Sequence, residues 1–148
     1  MADGDHRPSR ILVDDRQGEP VQLEALVAVA RETMIGEGVG GAELSLSLVT
    51  EDGMADLHER YMGEPGPTDA LSFPLGEDDR DEDGVRILGD VVICPVVAAR
   101  DNPSDPAAEL RLLAVHGILH LLGHDHMEGD ARAEMWARQE RYAGVRIP

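Results

Sequence analysis

The chain has 148 residues, 42% hydrophobic and only 3% aromatic, and its 13 basic residues, all arginine, face 30 acidic ones for a net charge of −17. That length suits one domain over residues 1–148, with a core built from Leu, Val, Ile, Ala and Met. The charge counts against a simple nucleic-acid-binding module, though not against a nuclease with a local positive pocket, and the scarcity of rings weakens a reading that needs stacking platforms for single-stranded nucleic acid.

Ile11 to Asp14 reads as a short first strand. Pro20 opens a helix in which Leu23, Leu26, Val27, Ala30 and Met34 recur at three- and four-residue steps, and the glycines from Gly36 onward end it. Glu43 to Thr50 (ELSLSLVT) alternates strictly, the pattern of a strand with one face on the core. Asp52 to Met62 is a second amphipathic helix, with Met54, Leu57 and Tyr61 on one stripe. A loop over Gly63 to Pro67 leads to a strand at Leu71 to Pro74. Glu77 to Asp83 packs six acids around one arginine and reads as a solvated loop. The β-branched run Ile87 to Pro95 suits a buried strand. Asp105 followed by Pro106 marks a helix start, a capping carboxylate before a residue tolerated in the first turn. That helix should run to about Leu122, stopped by Gly123, and a last helix begins near Asp130. The sum is an α+β fold, a small mixed sheet covered by helices, with the candidate site at the end of a central helix.

Cys94 is the only cysteine, so no intrachain disulfide forms, and its place in an apolar strand suits a small core residue. The polar start MADGDHRPSR has no apolar stretch behind it to act as a signal peptide. No uncharged apolar run approaches the roughly 20 residues of a spanning helix. The expectation is a cytoplasmic protein without a membrane partner.

Four of the six histidines lie within eleven residues, from His116 to His126. His116 and His120, four apart on a helix, project from one face and can chelate one metal ion. Gly123 turns the chain and allows a third histidine to return. A lone histidine in so apolar a helix would be an ordinary core residue; two at chelating spacing, a turn and a third are not. His124 and His126 both follow the turn, and the His-x3-His-x2-Gly-x2-His spacing favours His126. His124 is then a neighbour or an exposed loop residue, and Asp125 is placed either to orient a ligand or to bond the turn. Three imidazoles and an open position describe a catalytic zinc, although nickel and iron accept the same donors. His6 and His58 show no constellation. In H-E-x-x-H metalloproteases the Glu is the general base; here Gly117 stands there, which disfavours peptide hydrolysis.

The string from His116 to His126, with Leu57 to Pro74 (LHERYMGEPGPTDALSFP), Leu88 to Pro95 (LGDVVICP) and Met135, Gln139 and Glu140, resembles the YbeY family of bacterial rRNA maturation endoribonucleases. The resemblance covers about Leu44 to Tyr142. It implies a zinc-dependent, single-strand-specific endoribonuclease in 16S rRNA maturation and ribosome quality control. Its partners would be RNA (an rRNA precursor and the small ribosomal subunit) and not DNA, with one zinc per chain on His116, His120 and His126. Many members carry an Arg before the Gly that follows the Tyr; this chain has Met62. Arg60, on a different helical face, is the candidate replacement for contacting phosphate. An RNA substrate further predicts that some of Arg60, Arg86, Arg100 and Arg111 lie near the metal. Thr68, Asp69 and Ser72 read as turn and strand structure ahead of catalysis. Two other readings remain: a hydrolase of a peptide or small amide bond, and a non-catalytic ribosome-associated factor with structural zinc. A fourth protein ligand would mark the latter.

Overall fold

The computed structural model describes residues 9–76, 78–124 and 129–143. Four strands, β1 (Arg10–Asp15), β2 (Glu43–Leu48), β3 (Ala70–Pro74) and β4 (Ile87–Ile93), form one sheet in the order β1-β2-β4-β3. β1, β2 and β4 run parallel and β3 closes one edge antiparallel to β4. The helices are α1 (Leu23–Gly36), α2 (Glu51–Met62), α3 (Pro95–Asp101), α4 (Pro106–Leu121) and α5 (Gly129–Ala143). This is the mixed α+β architecture expected from the sequence.

The alternation of β2 sets the layers. Leu44, Leu46 and Leu48 stand opposite Gly89, Val91 and Ile93 of β4 on one face. There they join Leu26, Ala30 and Met34 of α1, much of α4, and Met135 of α5 in the main core. The other face carries a smaller cluster in which Met54 of α2 packs with Leu71, Val92 and Cys94. Cys94 is fully buried, as its apolar setting suggested. Gly89 adopts φ 135°, and a Cβ there would collide with the Phe73 carbonyl oxygen, so only glycine lets β3 approach.

Several boundaries differ from the sequence expectation. α1 starts at Leu23 rather than Pro20, and Val29, not Val27, is its buried valine. β2 stops at Leu48 because Thr50 is recruited to cap α2, its hydroxyl accepting the Gly53 N–H at 3.1 Å. The stripe on α2 fades along its length: Met54 is buried, Leu57 half-buried, and Tyr61 is 58% exposed. The run ending at Pro95 is a strand only to Ile93; Pro95 instead begins α3, a helix the sequence pattern does not announce. The acidic loop is less free than composition implied. Asp81 accepts the N–H groups of Asp83 and Val85 and pairs with Arg10 at 2.8 Å. Among the described residues no helix is long and apolar enough to cross a membrane.

Candidate metal centre

The site hangs on α4. Asp105 caps its start, accepting the Ala108 N–H at 3.1 Å, with Pro106 in the first turn. Its far end closes through a left-handed glycine: Gly123 has φ 94° and donates to the His120 carbonyl, and His124 N–H reaches the Leu119 carbonyl, each at 3.0 Å. Just before that turn, the His116 and His120 rings meet edge to face with centroids 4.5 Å apart. They open on a cleft of about 270 Å³ walled by Met62 and by Ala70 to Phe73 of β3.

Gln139 on α5 completes this arrangement. Its buried side-chain oxygen is hydrogen-bonded to His116 Nδ1. The tautomer that donates Nδ1–H to this oxygen is the one in which Nε2 keeps the lone pair a metal requires. The sequence pattern matches Gln139 to the family tail without a role; twenty-three positions in the chain hide the contact.

The turn beyond α4 is held by a second group. Glu37, at the end of α1, has a side chain only 5% exposed. It bonds His124 Nε2 at 2.9 Å, Arg138 Nη1 at 2.5 Å and the Tyr142 hydroxyl at 2.6 Å. Burial alone would raise the Glu37 carboxyl, yet the bonds from Tyr142, His124 and Arg138 leave it below its ordinary value. His124 is therefore a half-buried structural partner, not an exposed loop residue. Asp125, His126 and His6 lie outside the described residues. His58 is structural too. Its Nδ1 bonds the Gly66 carbonyl at 2.9 Å and its Nε2 lies 3.3 Å from Glu64, bracing the loop before β3.

Gly117 has a packing reason. A Cβ there would lie 2.7 and 2.9 Å from the two Val91 methyl carbons and 3.3 Å from Ser72 Oγ. α4 rests directly on β4, and neither a glutamate nor an alanine fits between them. Ser72, whose Oγ is 3.5 Å from the Gly117 carbonyl, seats the helix and presents a hydroxyl at the cleft.

Among the described residues, none of the arginines expected near the site lines the cleft. Arg60 is bonded to Asp56 at 2.8 Å and Arg100 to Glu51 at 2.6 Å. Arg111 lies in the seam between α1 and α4, and Arg86 pairs by backbone with Arg80 beside the acidic loop. Met62, not Arg60, walls the cleft, and among the described residues no carboxylate or arginine lines it. Carboxylates gather instead at the other end of α4, where oxygens of Asp69, Asp101 and Glu109 lie within 4.8 Å of one another. Burial, then a hydrogen bond and repulsion from Asp69, push the Asp101 carboxyl up; burial, then Asp101 and Asp69, do the same to Glu109. Thr68 Oγ1 lies 3.5 Å from Asp69, part of the turn into β3 as expected.

Residues 8–144 match the family described as Endoribonuclease YbeY. Relatives called "Endoribonuclease YbeY" from Mycobacterium sp. strain KMS and Mycobacterium marinum are each 45% identical. Their alignments cover 87% and 88% of this chain and 78% and 79% of those proteins. The solution structure of TM1509 from Thermotoga maritima superposes with a TM-score of 0.64 at 32% identity, covering 90% of this chain and 86% of that one. Fold and sequence together define an α+β nuclease of the hydrolase class. The chain belongs to the YbeY endoribonuclease family.

Proposed function

We propose that this endoribonuclease is zinc-dependent and single-strand-specific, and that it acts in the cytoplasm on the 16S rRNA precursor, in maturation and in quality control of the small ribosomal subunit. The observation carrying this reading is the His116–His120 pair, with His116 bonded to Gln139, in a cleft whose described walls hold no carboxylate, in a chain with this family membership. His116, His120 and His126 would hold the ion. Nitrogen donors at this spacing fit zinc, and the Gln139 oxygen stands where zinc-binding imidazoles ordinarily have a carboxylate, a backbone carbonyl or a water. When bound, zinc supplies a Lewis acid for a phosphoryl oxygen and makes bound water a better nucleophile. The chain's own residues do the positioning. Gln139 fixes the ring of His116, the glycine turn after His120 redirects the chain, and β3 with Met62 walls the cleft. Ser72 offers the phosphate a hydroxyl.

The peptidase alternative loses ground here, because Gly117 lacks the base and Val91 leaves no room for one. Purified protein should carry one zinc per chain and cleave single-stranded RNA but not the matching duplex. His120→Ala should lose the zinc and bring cleavage to background, with folding checked by circular dichroism. Full zinc content in that variant would overturn the ligand assignment. Metal-loaded wild type that leaves single-stranded RNA intact would overturn the substrate.

A further inference from the structure

The chain has four aromatic residues, Tyr61, Phe73, Trp136 and Tyr142. Tyr142 is committed to Glu37. Tyr61 and Phe73 meet edge to face at 5.2 Å beside the metal centre, and Tyr61 is 58% exposed in a protein whose core is aliphatic. Phe73 borders two depressions. One is the histidine cleft; the other is a groove of about 420 Å³ lined also by Tyr61, Leu57, Ser47, Asp90 and Val92. Phe73 and Asp90 are cross-strand partners, so ring and carboxylate stand side by side on the sheet face.

Electrostatics make this pair of rings informative. Among the described residues neither depression is lined by an arginine, Arg60 is bonded to Asp56, and the chain carries a net charge of −17. Phosphate neutralisation, the usual source of nucleic-acid affinity, is thus not available from these walls. Base stacking on aromatic rings is the other general source, and it needs no positive charge. One unpaired base needs only this one pair of rings, so the low aromatic content is no obstacle. The Asp90 carboxylate can accept from an exocyclic amine, as carried by adenine, cytosine or guanine, and Ser47 can bond either edge.

We propose that Tyr61 and Phe73 form a base-binding subsite that takes one unpaired, amine-bearing base of the RNA strand beside the scissile phosphate. This rests on the ribonuclease reading above and deepens it: a base stacked within a duplex cannot enter the groove, so the subsite contributes to single-strand selectivity.

The test is cleavage kinetics of the metal-loaded protein on a short single-stranded RNA of mixed sequence, with abasic residues placed in turn at each position around the cut. Tyr61→Leu should lose at least about fivefold in kcat/KM, mostly through KM, and Tyr61→Phe should recover most of it. In the wild type one abasic position should cost a similar factor; in Tyr61→Leu that position should cost little, because ring and base act as a pair. Phe73→Leu should show the same coupling. Equal abasic penalties in wild type and Tyr61→Leu, or unchanged kinetics in Tyr61→Leu, would overturn the subsite and leave the ribonuclease reading intact. Wild type inactive on every RNA overturns both.

Discussion

The two ends of α4 carry opposite chemistry on one stripe of a single helix. Glu109 sits in the first turn, and His116 and His120 follow seven and eleven residues later, an axial distance of about 10 Å from the glutamate to the first imidazole. The early end gathers hard oxygen donors with Asp69 and Asp101, where the positive end of the helix dipole offsets part of their repulsion. The late end gathers nitrogen donors in a cleft whose described walls hold no carboxylate. Oxygen donors suit magnesium or calcium and imidazoles suit zinc, so the two ends are chemically separated although β3 runs past both. A net charge of −17 therefore says little about the cleft: the acid trio lies where the proposed zinc does not.

Substitutions at the imidazole end should have the larger effects. Alanine at a helix-interior glycine ordinarily gains about 0.5–1 kcal/mol. At position 117 the stiff Val91 side chain stands in the way, and overpacking of this kind costs about 1–3 kcal/mol, so Gly117→Ala should lower the melting temperature despite its better propensity. A rise would show that α4 can lift off the sheet freely. Gln139→Ala should reduce zinc affinity by about ten- to a hundredfold, with Gln139→Glu recovering much of it by keeping an acceptor. Equal affinity in both variants would mean that α5 does not govern the tautomer of His116.

The carboxylate end should give the smallest effect, visible through pH. Asp101 and Glu109 have raised folded values, so the folded chain keeps protons that the unfolded chain has released. Stability then falls as pH rises from the ordinary carboxylate range through the raised values, and the penalty is absent below that range. Asp101→Asn should melt a few degrees higher near neutral pH and no higher in acid. Glu37 behaves in the opposite sense: its lowered value adds stability above the ordinary range, lost as pH falls through the folded value. An Asp101→Asn variant that melts lower at neutral pH would show the trio to be attractive rather than strained.

Much of this is legible where the signal is local. Strict alternation exposes β2, Asp105 with Pro106 exposes the start of α4, and i,i+4 spacing exposes the histidine pair. α3 escapes because Val96 and Val97 prolong a β-branched run, and Cys94 gives the helix start no side-chain cap. Contacts made by distant residues leave no trace in spacing. Gln139 reaches His116 across 23 residues, and Glu37 reaches His124, Arg138 and Tyr142 across 87 to 105. The acid trio draws on the turn before β3, the end of α3 and the start of α4. Gly117 stands out in the sequence for the side chain it lacks, but its reason is the valine beneath it on another element.

The anchoring of α5 makes the cleft sensitive to a distant part of the chain. His116 is bonded by residue 139, and Glu37 receives two of its three described partners from residues 138 and 142. A chain cut after α4 would keep both histidines at their helical spacing and lose the contacts that brace them. Damage at the far end of the sequence is therefore felt first as misalignment of the imidazoles, before any donor is removed.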